Sequence, residues 1–204
     1  MRPAVSSPLA AEEKPAAGRV YLETYGCQMN LVDSEIILAM LEERGWVRAG
    51  TPGEAEVILV NTCAVREHAE GRAIANIAQL HRYREGRPEV KIGVLGCLST
   101  HAGETLARKL PFLDWVLGPD AYRQLPALLT APRPEAPRVI LDGSPGELYD
   151  DILPARREGV NAWVAISRGC DNHCTYCVVP YTRGGLRHRT LDSVLHEVRR
   201  AVEE

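Results

Sequence analysis

The stretch Val57-Ile-Leu-Val-Asn-Thr-Cys63 contains the pattern on which the chain is built: four consecutive apolar residues, a polar turn and a cysteine. A continuous apolar run, unlike an alternating one, is typical of a strand that is buried on both faces of a sheet. Apolar residues at helical spacing follow within residues 67–85. Strand and helix together predict one βα unit, the repeating element of a parallel sheet.

The same unit recurs on both sides of this stretch. The predicted strands lie at 19–25, 90–95 and 115–117. The first predicted helix begins after Asn30, which would be its N-cap residue, and the others lie at 104–110 and 121–129. We therefore expect residues 19–130 to form an α/β domain with an open, doubly wound, Rossmann-like parallel sheet. Residues 1–18 predict a disordered leader, and the Pro- and Gly-rich residues 131–159 predict a linker that adds an edge strand at 139–141.

Three cysteines occur in phase with these units. Cys27, Cys63 and Cys97 are 36 and 34 residues apart, one βα repeat each. Each follows a predicted parallel strand, and the C-terminal edge of such a sheet is where ligands bind. The alternative is that each is a small buried core residue. Because all three are in phase, we interpret them as the ligands of one shared centre.

A second triplet, Cys170, Cys174 and Cys177, has the spacing C-x3-C-x2-C and follows an apolar run at 160–166. We expect that run to be a buried strand and the cysteines to lie on the loop after it. A zinc site normally has four protein ligands, so zinc would require a histidine such as His173 or His188. Three cysteines on a cubane iron-sulfur cluster leave its fourth iron open.

The flanks of both triplets resemble a known family. RGCDNHCTYCVVPYTRG is similar to the cluster loop of the radical S-adenosylmethionine (SAM) methylthiotransferases, and YGCQMN, NTCAVRE and GVLGC resemble the cysteine motifs of their N-terminal domain. The resemblance covers about residues 19–189 and is to the tRNA-modifying MiaB type. Relatives that act on a ribosomal protein or on threonylcarbamoyl-adenosine in tRNA, which remain the alternative, carry different residues around these cysteines.

The resemblance implies two 4Fe-4S clusters. The cluster on Cys170, Cys174 and Cys177 would bind SAM, with Tyr176 near its adenine, and cleave it to a 5′-deoxyadenosyl radical. The cluster on the other triplet would carry or donate sulfur. The implied reaction places a methylthio group at carbon 2 of N6-isopentenyladenosine beside the anticodon of tRNA. An electron donor such as flavodoxin or ferredoxin, and a monomeric full-length enzyme, are also implied.

The composition of the chain limits its cellular location and the way in which it could bind a nucleic acid. The chain has 204 residues, 45% of them apolar, and contains no apolar run of the roughly 20 residues that would span a membrane. Cysteines in metal-ligand patterns suit a reducing cytoplasm, so we expect a cytoplasmic protein. A net charge of −3 argues against a general nucleic-acid binder, so tRNA would need a local basic surface. Candidate phosphate contacts are Arg183, Arg187 and Arg189; the alternative is a solvated basic loop.

Only 27 residues follow Cys177, enough for one βα unit ending in a helix from about Thr190. We therefore expect residues 160–204 to be the truncated start of a radical SAM partial β/α barrel, and the chain to be a fragment that is inactive alone. Gly185, Leu186 and His188 depart from the family pattern. An iron-sulfur carrier or electron-transfer protein is the alternative from another class. A dinucleotide-binding domain is disfavoured, because no G-x-G-x-x-G follows the first strand.

Overall fold

A computed structural model describes residues 16–64, 67–143, 146–156 and 161–203, with side chains left out at 67–70. Within these ranges six parallel strands form one sheet in the order β2-β1-β3-β4-β5-β6. The strands are β1 Gly18–Thr24, β2 Trp46–Arg48, β3 Val57–Thr62, β4 Lys91–Gly96, β5 Trp115–Leu117 and β6 Arg138–Ile140. The helices are α1 Gln28–Glu42, α2 Glu67–Gln79, α3 Cys97–Lys109, α4 Leu125–Thr130, α5 Val179–Arg183 and α6 Leu191–Glu203.

Strand β3 is buried on both faces, as its apolar run predicts. Val57 and Leu59 pack in a cluster with α1 and α4, whereas Ile58 and Val60 pack in a second cluster with α2 and α3. Each such side chain contributes about 1.5–3 kcal/mol relative to an exposed one. The expected doubly wound α/β fold is therefore confirmed.

The helix starts differ from the prediction. Helix α1 begins at Gln28 with Cys27 as its N-cap, so the assignment of Asn30 as N-cap is wrong. Helix α3 begins directly at Cys97 and is kinked at Ala102 (φ −135°, ψ 20°), so 104–110 is only its second half. Strand β2 was not predicted, because three residues that are partly exposed give no clear apolar pattern.

Residues 131–156 are part of the α/β unit as far as the structure describes them. Strand β6 pairs with β5 at the sheet edge, one residue before the predicted position. Tyr149 and Ile152 pack in the same apolar cluster as α1. Most of the predicted leader, residues 1–15, lies outside the described residues.

The C-terminal segment, residues 161–203, is built differently. Its only described strands are β7 Ser167–Arg168 and β8 Arg187–His188, which pair antiparallel. The expected buried strand at 160–166 is wrong: residues 161–166, all described, form no strand, and Ile166 is 63% exposed. Val160 lies outside the described residues. An apolar run stays out of a sheet when no neighbouring strand supplies backbone partners.

Helix α6 begins one residue after the predicted start. Its apolar residues Leu191, Leu195, Val198 and Val202 are exposed, the last by 81%. None of the described helices combines the length and the apolar character needed to cross a membrane.

Candidate metal centres

The first cysteine triplet lies at the C-terminal edge of three neighbouring strands. Cys27, Cys63 and Cys97 follow the ends of β1, β3 and β4. Two glycines make the turns possible. Gly26 (φ +135°) would place a Cβ 2.5 Å from the Cβ of Cys63, and Gly96 (φ +95°) would place one 2.4 Å from the carbonyl oxygen of Thr62. Only glycine fits these close approaches.

Two buried asparagines fix the same edge. Asn30 Nδ2 donates to Asn61 Oδ1 (3.0 Å) and to the carbonyl of Thr62 (3.1 Å). Asn61 Nδ2 donates in return to the carbonyl of Asn30 (2.9 Å) and to Ser34 Oγ (3.0 Å). Both side chains are fully buried. Because each amide is satisfied, the network ties the start of α1 to the end of β3 and so positions Cys27 next to Cys63.

The thiol of Cys27 has a lowered pKa. A hydrogen bond from Cys63 lowers its pKa to about 5, helped by the backbone N–H groups of Met29 and Asn30 and by the charge of Arg183, while partial burial opposes the shift. The neutral thiol instead donates to Asn30 Oδ1 at 3.4 Å. A cysteine at a helix N-terminus beside a cation is expected to be a thiolate at neutral pH, the form that binds metals.

Cys97 is buried and contacts an arginine from the C-terminal segment. Arg183 Nε donates to Cys97 Sγ at 3.1 Å, and Arg183 Nη2 donates to Asp33 Oδ2 at 2.8 Å. Asp33, fully buried on α1, also accepts from Arg168 Nη1 (2.8 Å) and Tyr122 (3.3 Å). Burial would raise the pKa of Asp33, but the two guanidinium groups outweigh it and lower that pKa.

The second triplet lies on one short loop after β7. Cys170, Cys174 and Cys177 are partly or fully exposed, and the N–H of Cys177 donates to the carbonyl of Cys174 (2.9 Å). Tyr176 is 90% exposed. Its expected contact with SAM remains a prediction.

The segment that departs from the family pattern supports this loop through its backbone. The N–H of Leu186 donates to Asp171 Oδ1 (2.8 Å), and the N–H of Cys170 donates to the carbonyl of Gly184 (3.1 Å). His188 pairs with Ser167 in the short β7–β8 ladder. Backbone contacts of this kind depend little on the side chains at 186 and 188, whereas a Cβ at 185 would lie 3.2 Å from Asp171 Oδ1.

The three candidate RNA-contacting arginines all have internal partners. Arg183 is only 5% exposed, Arg187 pairs with Asp120 (2.8 Å), and Arg189 pairs with the buried Glu197. These ion pairs argue against the phosphate-contact prediction, most strongly for Arg183, because a buried guanidinium cannot reach a phosphate without leaving its carboxylate.

In the described part of the chain, no three cysteine, histidine or carboxylate side chains are arranged to hold a metal ion. Cys27 and Cys63 are in contact, whereas Cys97 Sγ contacts Arg183. The donor set nevertheless fits an iron-sulfur centre: none of the six cysteines forms a disulfide, one triplet lies at three adjacent strand ends, and Cys27 favours the thiolate.

Sequence reasoning missed the buried charges. Neither Asp33 nor Arg168 is among the candidate site residues that the sequence patterns indicate. The available signal was the position of Asp33 directly beside Val32 and one turn before Ile36 and Ile37, which all face the core. A carboxylate on a buried helix face needs a partner, although the sequence does not say which.

The comparisons with known proteins agree with this fold. Residues 19–118 match the model of the family described as "Uncharacterized protein family UPF0004". The chain is similar to the protein named tRNA-2-methylthio-N(6)-dimethylallyladenosine synthase of Chloroherpeton thalassium, with 45% identity over 188 residues, which are 91% of this chain and 41% of that protein.

Proteins of the same name from two other bacteria match comparably. The one from Symbiobacterium thermophilum is 45% identical over 184 residues (88% of this chain, 39% of that protein). The one from Porphyromonas gingivalis W83 is 40% identical over 200 residues (94% and 43%). The chain thus spans about two fifths of the length of these curated relatives. In its cysteine motifs, its fold and these matches, the chain resembles the N-terminal part of the MiaB-type tRNA methylthiotransferases.

Proposed function

We propose that this chain provides both cysteine triplets of a radical SAM methylthiotransferase that modifies carbon 2 of N6-isopentenyladenosine in tRNA. The observation that carries the proposal is the coincidence of two independent patterns in one chain. One is a triplet at three adjacent strand ends, and the other is a C-x3-C-x2-C loop. The names of the relatives support the same substrate.

In this proposal Cys27, Cys63 and Cys97 hold one 4Fe-4S cluster, and Cys170, Cys174 and Cys177 hold the other. When bound, the clusters supply one-electron reduction of SAM and the sulfur for insertion, which no side chain supplies. The protein's contribution is placement. The Asn30–Asn61 pair holds the start of α1 against the end of β3, and the acidic thiol of Cys27 supplies a ligand without a separate deprotonation step.

The tRNA and the electron donor are partners of the proposed enzyme. We assign neither of them to a particular surface of the described residues. Arg183, Arg187 and Arg189 are internally paired, so this proposal does not use them as phosphate contacts. A flavodoxin or ferredoxin as donor, a cytoplasmic location and a monomeric full-length enzyme remain expectations of the same proposal.

The test is a chimera, because the curated relatives are longer than this chain. Residues 19–203 replace the matching region of the Chloroherpeton thalassium protein in a bacterial host that lacks its own synthase. Nucleosides from total tRNA are then analysed by mass spectrometry. We expect the 2-methylthio derivative of N6-isopentenyladenosine to appear.

Two single variants, Cys63→Ala and Cys170→Ala, serve as matched controls, one for each triplet. Each is expected to leave unmodified N6-isopentenyladenosine. The proposal fails if either variant retains the modification, or if the iron-loaded chimera modifies a different nucleoside or none.

A further inference from the structure

The side chain of Arg183 joins the two cysteine triplets. Arg183 ends α5, six residues after Cys177, yet its guanidinium lies beside Cys97 at the end of β4. Nε donates to Cys97 Sγ (3.1 Å) and Nη2 to Asp33 Oδ2 (2.8 Å). Helix α5 packs against α3, the helix that begins with Cys97. The segment that carries one triplet therefore reaches directly to a sulfur of the other.

The charges around this contact do not balance. Two buried cations, Arg168 and Arg183, share the single carboxylate of Asp33. Tyr122 and Tyr149, which line the same cluster, are neutral because burial raises the pKa of both phenols. Arg168 stacks over the Tyr149 ring (4.9 Å), which offsets part of its charge. The neighbouring Arg187 is neutralised by Asp120. One positive charge is left without a carboxylate, and on the cysteine side it interacts with the thiolate of Cys27.

Unused hydrogen-bond donors mark the same place. Within the described residues, Arg183 Nη1 and Arg168 Nε are buried and have no hydrogen-bond partner. A buried cation with an orphaned donor is unfavourable unless a negative group accompanies it. Of the two arginines, Arg183 is the one that contacts a cysteine sulfur. The negative group that would balance its charge is therefore expected at the cysteine site that includes Cys97.

We propose that Arg183 is a positioning residue that holds Cys97 at the first cluster site and raises the reduction potential of the cluster bound there. The inference rests on the proposed function, since it assumes a cluster on Cys27, Cys63 and Cys97. Hydrogen bonds to ligand sulfurs and nearby positive charge stabilise the reduced, more negative state of such a cluster. The arginine also makes the first cluster sensitive to how the C-terminal segment is docked.

The experiment uses the full chain, reconstituted with iron and sulfide, in a Cys170→Ala/Cys174→Ala/Cys177→Ala background so that only the first cluster contributes. Arg183→Gln and Arg183→Lys are compared with Arg189→Gln. Arg189 is a suitable control because it is a buried arginine on the same segment, paired with Glu197, and contacts no cysteine. The readouts are iron per chain and the midpoint potential from a redox titration followed by electron paramagnetic resonance.

We expect Arg183→Gln to lower the ratio of reduced to oxidised cluster about tenfold at the parent's midpoint potential. Arg183→Lys should recover part of that loss because it restores the charge, and Arg189→Gln should match the parent. Loss of iron in Arg183→Gln alone, with the sheet still folded by circular dichroism, would also support the inference, since Cys97 would then be misplaced.

Equal midpoint potentials and equal iron in Arg183→Gln and Arg189→Gln would overturn the inference while leaving the proposed function intact. If the parent, the Cys170→Ala/Cys174→Ala/Cys177→Ala variant, binds no iron, then the first cluster does not form and both proposals fail.

Discussion

The six-stranded sheet and the C-terminal segment, residues 161–203, are stabilised in opposite ways. The sheet buries continuous apolar strands between two helical layers, and its fully buried residues are mostly aliphatic. The C-terminal segment has two-residue strands and exposed apolar side chains, and it is attached to the sheet unit through ion pairs of Arg168, Arg183 and Arg187. Packing specifies the first region locally, whereas the second depends on charges that are distant in sequence.

The largest expected effect comes from the carboxylate that two of these arginines share. Asp33→Asn leaves Arg168 and Arg183 buried without a counter-charge, so we expect a loss of about 3–5 kcal/mol in the free energy of unfolding, measured by urea titration. Limited proteolysis should show the C-terminal segment cleaved first. The control is Asp120→Asn, whose half-buried pair with Arg187 is worth at most about 1 kcal/mol. Equal losses in the two variants would contradict the comparison.

A second change affects only the sheet. Leu59→Ala removes a fully buried side chain from β3 and should cost about 2–5 kcal/mol through lost burial and a cavity. Because Leu59 is an apolar residue of the core cluster and is not a member of any ion pair, the order of proteolytic cleavage should stay as in wild type. Preferential release of the C-terminal segment in this variant would show that the two regions are not stabilised separately.

A third change tests the electrostatics of the first triplet. In metal-free protein, the iodoacetamide reaction of Cys27, followed by peptide mass spectrometry, should have a midpoint near pH 5, against about 9 for an ordinary thiol. Ionised Cys27 therefore stabilises the fold fully above about pH 9, and this contribution is lost as the pH falls through about 5. Cys63→Ala removes the hydrogen bond that lowers the pKa most and should move the midpoint upward. An unchanged midpoint would exclude Cys63 as the cause.

The smallest effect is expected on α6. Val202→Glu replaces an apolar residue that is largely exposed, so the free energy of unfolding should change by no more than about 0.5 kcal/mol. A loss of more than 1 kcal/mol by the same urea titration would mean that this helix face is covered in solution.

The same division explains what could be predicted from sequence. Runs such as Val57–Val60 identify the parallel strands because burial on both faces leaves a pattern within a few residues. The positions of Cys27, Cys63 and Cys97 at one sheet edge follow from that pattern. The Asp33–Arg168 pair joins residues 135 positions apart, and no local pattern encodes its partner. The predicted strand at residues 161–166 is wrong because a local pattern alone does not make a strand. The composition of these residues favours a strand, but the described structure supplies no neighbouring strand.

We propose that each of the two regions carries its own three-cysteine cluster. The most direct measurement is iron and acid-labile sulfide per chain after anaerobic reconstitution, in wild type and in two variants, Cys27→Ala/Cys63→Ala/Cys97→Ala and Cys170→Ala/Cys174→Ala/Cys177→Ala. We predict about eight irons in wild type and about four in each variant. No iron in any of the three, or zinc bound in its place, would contradict the claim.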